Sequence, residues 1–192
     1  MKKLIILIIF AVFALSSRAQ GNIEVGLKAG LNSSKILMNL SDYTPQTVNN
    51  FQFGAFARFN LNRFYIQPEA YFNSKGGEYI DKISPATINS FDLKTIDVPA
   101  LVGFKVIDKK AYNLHVLAGP VFSLVTSKSV SSQLTETAIK NSFFGWQYGV
   151  GADFLFITLD ARMESLSSNL YATPNFDSKN GTFVISLGFK IL

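Results

Sequence analysis

Hydrophobic and polar residues alternate along most of the chain from Ile23 onward, with a period of two. In the first block, Val25 and Leu27 alternate with polar or small residues. Successive side chains of a β-strand point to opposite faces, so this pattern predicts strands with one apolar and one polar face. It recurs in eight blocks, at residues 23–32, 51–61, 64–73, 95–106, 113–124, 144–154, 158–164 and 182–191. Leu117 and Val121 interrupt it in the fifth block.

The connections between the blocks alternate between long and short. Long polar connections are centred near Asp42, Asp81, Ser132 and Asn175. Short connections lie at residues 62–63, 108–111 and 156–157. This alternation is typical of an up-and-down barrel whose two rims face different surroundings. The sequence therefore predicts an all-β fold, an eight-stranded antiparallel up-and-down barrel.

Alternation alone does not say which face of the barrel points outward. A soluble periplasmic carrier such as a lipocalin encloses its apolar face and presents the polar one to water. Here charged residues make up only 16% of the chain, and the polar face is rich in Gly, Ser and Asn. Small residues suit the crowded interior of an eight-stranded barrel, whereas an exterior in water carries many more charges. We therefore expect a transmembrane β-barrel with short periplasmic turns and longer extracellular loops, and keep a lipocalin-like carrier of an apolar ligand as an alternative.

The distribution of aromatic residues agrees with a membrane barrel, because such barrels carry an aromatic girdle at each interface. One predicted girdle lies near the short-turn rim and consists of Phe64, Tyr65, Phe104, Tyr112, Phe154, Phe156 and Phe189. The other lies towards the long-loop rim and consists of Phe51, Phe72, Phe122, Phe143, Phe144, Trp146 and Phe183.

The chain begins with two lysines, an apolar run over residues 4–15 and a small-residue segment that ends at Ala19. This order is typical of a cleaved signal peptide, and the apolar run would span only about 18 Å as a helix, against about 30 Å of hydrocarbon. We predict a signal peptide at residues 1–19 and a barrel domain at residues 20–192, in the outer membrane of a Gram-negative bacterium. Without the basic residues of the leader, Lys2, Lys3 and Arg18, the formal charge of +5 falls to +2, which gives no support for nucleic-acid binding.

Several segments carry a family resemblance that spans the predicted barrel domain. They are residues 64–69 ahead of Lys75-Gly76, residues 96–101, 117–120 and 149–153, Asp160-Ala161-Arg162, and the closing residues 186–190. The chain resembles the PorT-like outer-membrane β-barrel family of Bacteroidota. The resemblance implies an eight-stranded barrel in the outer membrane and, for the namesake of the family, a role in type IX secretion.

Three prolines of these segments, Pro68, Pro99 and Pro120, lie in the middle of predicted strands. Proline removes a donor from the hydrogen-bond ladder, and a closed barrel has no edge strand, so we predict β-bulges at these positions. The chain departs from the usual pattern in ending Lys190-Ile191-Leu192 and not on an aromatic residue. The barrel-insertion machinery remains an expected partner.

The predicted lumen face carries charges of both signs. They are Glu24, Lys28, Arg58, Glu69, Asp97, Lys105, Asp153, Asp160, Arg162, Glu164 and Lys190, that is, six acids and five bases. An unpaired charge in a narrow lumen would cost several kcal/mol. We interpret this set as a structural network of ion pairs that fills the lumen, and keep an ion path or a polar binding site as the alternative.

Catalytic chemistry has few candidates in this sequence. Asp160, Arg162 and Glu164 share one face of a strand, and an arginine between two carboxylates suits an ion-pair clamp better than a general acid. His115 is the only histidine, is expected near the periplasmic rim, and has no convincing serine partner. The chain has no cysteine, which excludes disulfides and thiolate metal sites. We predict no catalytic, cofactor-binding or metal-binding residues and no cofactor.

These observations predict a non-enzymatic outer-membrane barrel with a filled lumen, in a structural or loop-mediated interaction role. Outer-membrane lipid and a protein bound through the extracellular loops are the expected partners, because binding functions concentrate in loops. An accessory barrel of a type IX-like secretion system is the first alternative, and the soluble periplasmic carrier is the second.

Overall fold

The computed structural model describes residues 23–38, 43–81, 88–130, 141–167 and 178–192. They form eight strands: β1 (Ile23–Met38), β2 (Tyr43–Leu61), β3 (Phe64–Asp81), β4 (Ile88–Asp108), β5 (Tyr112–Val130), β6 (Ser142–Phe154), β7 (Ile157–Leu166) and β8 (Ser178–Lys190). Each strand pairs antiparallel with the next, and β8 pairs with β1. The predicted eight-stranded antiparallel barrel is confirmed. The predicted signal peptide lies outside the described residues.

Ring closure gives each of the eight strands a hydrogen-bonded neighbour on both sides, which removes the free edges of an open sheet. Most strands continue beyond the predicted blocks on the side of the long connections; β4, for example, begins at Ile88 and not at Thr95. In the part of the chain that the structure describes, no helix is long and apolar enough to cross a membrane.

The short connections differ slightly from the sequence prediction. The turn between β6 and β7 consists of Leu155 and Phe156, so that Ile157 belongs to β7 and not to the turn. Asp108 likewise ends β4 and does not open the next turn. Asn62 and Leu155 take left-handed backbone conformations, with φ of 60° and 52°. Asn adopts this conformation readily, whereas for Leu it costs about 1–2 kcal/mol. The sequence therefore gives no sign that the turn between β6 and β7 is at Leu155.

The mid-strand prolines cause gaps in the ladders and not bulges. Three gaps each contain one proline: residues 57–58 opposite 67–68, residues 69–70 opposite 98–99, and residues 100–101 opposite 119–120. Pairing resumes in the same register after each gap, so the bulges predicted at Pro68, Pro99 and Pro120 are wrong. A proline lacks one donor but adds no residue, and omitting local pairs is sufficient. The register shifts lie instead between Gln46 and Gln52, at Lys94/Thr95 and at Lys105/Ile107.

The apolar face of every strand points outward, and the polar face points into the barrel. Leu117 and Val121 do not interrupt the alternation of β5, because both keep its period and are buried in the lumen. Tyr65 and Phe143 are also buried in the lumen, so their assignment to the aromatic girdles was wrong. The remaining predicted girdle residues lie on the outer wall. The core of this protein is therefore the polar lumen.

Candidate functional site in the barrel lumen

Charged side chains from every strand except β5 meet in the lumen, where nearly all of them are buried. We call this set the lumen network; it comprises Glu24, Lys28, Arg58, Glu69, Lys75, Asp97, Lys105, Asp153, Asp160, Arg162, Glu164 and Lys190. The alternation of each strand positions them, because every second residue faces inward. Along the barrel axis, the ion pairs fall into three layers: a lower layer near the short turns, a middle layer, and an upper layer towards the long connections.

The lower layer is centred on Arg58 of β2, whose side chain is fully buried. Its guanidinium forms an ion pair with Asp153 and a second one with Glu24, at 3.2 Å. Lys190 completes the layer at 3.2 Å from Asp153 and 3.5 Å from Glu24. Arg58 Nε also donates to Gln67 Oε1 at 2.5 Å. This layer therefore contains two acids and two bases.

The middle layer joins two carboxylates to two cations. Arg162 contacts Glu69 through both terminal nitrogens, at 2.5 and 2.8 Å, which is the bidentate geometry of a strong arginine–carboxylate pair. The same guanidinium donates to Asp160 Oδ2 at 2.6 Å. Lys28 Nζ lies 3.0 Å from Glu69 and 2.6 Å from Asp160. Gln67 donates to Glu69 Oε1 at 2.5 Å and so links this layer to the lower one.

His115 lies beside the middle layer and is completely enclosed. Its Nε2 lies 3.0 Å from Asp160 Oδ1, and its Nδ1 lies 3.0 Å from Asn113 Oδ1. The ring also meets the edge of Tyr65, with centroids 5.6 Å apart. Asn113 donates in turn to Asp153 of the lower layer at 2.9 Å. His115 thus joins β5 to the network together with Asn113 and Ser123, which accepts from Lys75 at 3.1 Å, and the described hydrogen bonds of His115 include no hydroxyl group that it could activate.

The upper layer has one cation for two carboxylates among the described residues. Lys75 Nζ lies 3.0 Å from Asp97 and 2.5 Å from Glu164. Gln147 donates to Glu164 at 2.7 Å, and Asn73 donates to Asp97 at 2.7 Å. Amide side chains here replace the second cation that completes the middle layer.

The structure corrects the predicted arrangement of Asp160, Arg162 and Glu164. Arg162 pairs with Asp160, but its second carboxylate is Glu69 of β3 and not Glu164. Glu164 pairs with Lys75 instead. Residues two positions apart along a strand are separated by almost 7 Å, so a side chain from across the lumen can come as close as a neighbour on the same strand.

Two lysines of the lumen, Lys75 and Lys105, also differ from the sequence prediction. The alternation in the sequence ends the third block at residue 73 and so leaves Lys75 out, whereas the inward positions of β3 continue through Lys75. Lys105 was predicted in the network and is buried, with 8% of its surface exposed. Within the described residues it has no ion pair. Adding Lys75 brings the network to six acids and six bases.

The arrangement is suited to filling and cross-linking the lumen. Each of the six carboxylates lies within ion-pair distance of at least one cation. Buried charges that are paired and hydrogen-bonded avoid the large cost of an isolated buried charge. In the parts of the chain that the structure describes, no group of three or more His, Cys, Asp or Glu residues could hold a metal ion.

A closed barrel with an apolar outer wall and an ion-paired lumen defines a membrane-spanning β-barrel. The chain belongs to the family described as outer membrane protein beta-barrel domain, which matches residues 16–171. The narrower resemblance to PorT-like proteins remains a prediction.

A solved structure shares this fold. The chain is similar to the outer membrane protein OprG from Pseudomonas aeruginosa, at 12% identity and a TM-score of 0.57, over 89% of this chain and 96% of that one. It is also similar to Ail, the attachment invasion locus protein of Yersinia pestis, at 17% identity and a TM-score of 0.48, over 88% of this chain and 99% of Ail. No curated protein sequence matches the chain.

Proposed function

We propose that this protein is a small outer-membrane β-barrel with a side-chain-filled lumen, which acts as a structural or loop-mediated interaction protein and not as an enzyme. The observation that carries the proposal is the lumen network. Its ion pairs cross-link the strands on opposite sides of the lumen, and the carboxylates that a catalytic reaction would need are already held by lysine or arginine. A general acid or base must instead be free to reach a substrate.

The closed lumen can be tested by recording ion conductance across planar bilayers. We expect no steady conductance from the folded full chain, because the side chains of an eight-stranded barrel fill its interior. As a matched pair, R162A shortens a side chain in the middle layer, and K110Q changes an exposed lysine in a short turn. We expect neither to open a stable channel. Reproducible conductance steps from the wild-type protein would contradict the proposal and would favour an ion path.

If the protein binds a partner, we expect the long connections to form the binding surface, because the lumen is filled. The connection after β5, residues 131–140, can be replaced by a short Gly-Ser linker, with a replacement of the short turn 109–111 as the control. We expect the first replacement, and not the second, to abolish co-purification of an outer-membrane or extracellular protein. Identical sets of co-purified proteins from both variants and the wild type would contradict loop-mediated binding.

Two sequence-based alternatives bear on this proposal differently. A soluble carrier of an apolar ligand would line its cavity with its apolar face, and here that face is on the outside, which argues against a carrier. The accessory role in type IX-like secretion rests on the PorT-like resemblance. Co-purification of secretion components with the native protein would support it, and their absence from every fraction that contains the barrel would count against it.

A further inference from the structure

A groove of about 390 Å³ lies on the outer wall, across strands β2 to β5. Its apolar part is formed by Phe51, Phe53 and Phe72, each more than half exposed. Their rings stack in a row, with centroids 6.3 Å apart between the first two and 5.3 Å apart between the last two. An acyl chain can lie along such a surface.

The polar part of the groove lies one step nearer the long connections. Ser74, Lys94 and Thr126 line it from outward positions of β3, β4 and β5, whereas Asn50, which also lines it, is at an inward position of β2. Ser74 is ten residues above the start of β3 at Phe64. At about 3.3 Å per residue and a strand tilt of about 40°, this corresponds to about 25 Å, the height of the apolar band of membrane barrels. The polar part therefore lies at the outer edge of the hydrocarbon layer.

Lys94 stands out on this wall. The other charged side chains that the structure describes as exposed lie in or next to the short turns. Above those turns, Lys94 is the only described charged side chain on the outer wall. It has no ion pair with any described acid. A charge on the lipid face is costly in the middle of the bilayer, and is tolerated only near an interface where it meets water or an anion.

A β-bulge in β5 lies directly opposite Lys94. Thr126 is an extra residue of β5, because Thr95 pairs with Val125 while Lys94 pairs with Ser127. The hydroxyl of Thr126 donates to the backbone oxygen of Lys94 at 3.0 Å. A bulge of this kind redirects side chains at the rim of a barrel.

We propose that this groove binds a phosphorylated glycolipid of the outer leaflet. The acyl chain lies over Phe51, Phe53 and Phe72, the phosphate meets the ammonium of Lys94, and the hydroxyls of Ser74 and Thr126 beside it bind the sugar. The phosphate is assigned to Lys94 because no described acid competes for it. The inference rests on the outer wall facing lipid, as in the proposed function.

The test titrates purified lipid A onto the folded full chain in detergent and counts bound lipids by native mass spectrometry. We expect the wild type to bind one lipid A, and K94Q to bind it about fivefold more weakly, the effect of one basic residue near an anionic surface. K94R and the short-turn control K110Q should bind as the wild type does. F72A should also weaken binding, because it removes part of the apolar surface.

Unboiled and boiled gel migration of each variant first establishes that the barrel is folded, so that a failed barrel and a failed lipid site are distinguished. Equal binding by K94Q and the wild type, or no binding by the wild type, would overturn the proposal. Equal binding of phosphatidylglycerol or of dephosphorylated lipid A would overturn the assignment to a phosphorylated glycolipid. If the wild type were a dimer and K94Q a monomer, the groove would bind a second copy of the chain, and the lipid proposal would also be overturned.

Discussion

The middle and upper layers of the lumen use the same kinds of side chain but balance their charges differently. In the middle layer, Glu69 and Asp160 face both Lys28 and Arg162. In the upper layer, the two carboxylates share Lys75 alone among the described residues. Each carboxylate of the middle layer therefore has two cations, whereas both carboxylates of the upper layer depend on Lys75. A lost cation is therefore expected to matter most where it has no substitute.

The largest effect is expected from K75M, which removes that shared cation and leaves Asp97 and Glu164 facing each other. Removing one partner of a buried pair costs about 3–5 kcal/mol, and we expect the free energy of unfolding to fall by this amount. Urea unfolding in lipid vesicles, followed by gel migration of unboiled samples, measures it. K75R keeps the charge and is the control. An unfolding free energy that K75M leaves unchanged would show that another cation already balances the upper layer.

The comparison is sharpened by removing one acid from each layer. E69Q takes away a carboxylate that binds both Lys28 and Arg162, and should lower the free energy of unfolding by about 1.5–3 kcal/mol, the contribution of hydrogen bonds to charged groups. E164Q removes the surplus negative charge of the upper layer, so we expect it to cost less than about 1.5 kcal/mol. The same urea titration measures both variants. Equal losses would mean that the upper layer has no surplus acid.

An effect smaller than that of K75M is expected from packing below the middle layer, where a methyl group added at Gly103 would overlap the ring of Tyr65. That ring is also held by Arg58, whose guanidinium carbon lies 4.5 Å from the ring centroid. Overpacking costs about 1–3 kcal/mol, so G103A should destabilise the barrel. G181A is the matched control, because nothing lies within 4 Å of the added methyl group. If the two variants unfold at the same urea concentration, Tyr65 is free to move and the lower lumen is loosely packed.

The fold could be predicted from the sequence because every strand repeats one simple rule. Alternation in the eight blocks follows directly from the opposite environments of the two walls, and the short connections mark where the chain reverses. Leu117, Val121, Tyr65 and Phe143 show where this reasoning fails. An apolar side chain can also fill a lumen, so its hydrophobicity does not say which wall it occupies, whereas its position in the alternation does.

The partners within the lumen network could not be predicted in the same way. The sequence shows that Arg162 faces inward, but its contact with Glu69 depends on the stagger of strands that are far apart in the chain. That stagger is the sum of several registers, and two of them, β2–β3 and β4–β5, contain three shifts in total that no residue pattern predicted. The inward positions were therefore predictable, and the pairs were not.

The pairing of β8 with β1 also has a consequence for how the barrel forms. Neighbouring strands elsewhere are joined by hairpins, whereas Ser34 of β1 and Thr182 of β8 are 148 residues apart. Closure also brings Lys28 of β1 to Asp160 of β7, which is 132 residues away. Contacts between distant parts of a chain form late and slowly. Until the last strand meets the first, Lys28 lacks one of its two carboxylates, and an open sheet would carry that exposed charge into lipid. Closure and the complete pairing of Lys28 thus coincide, so we expect a half-built barrel to be less stable in lipid than the closed one.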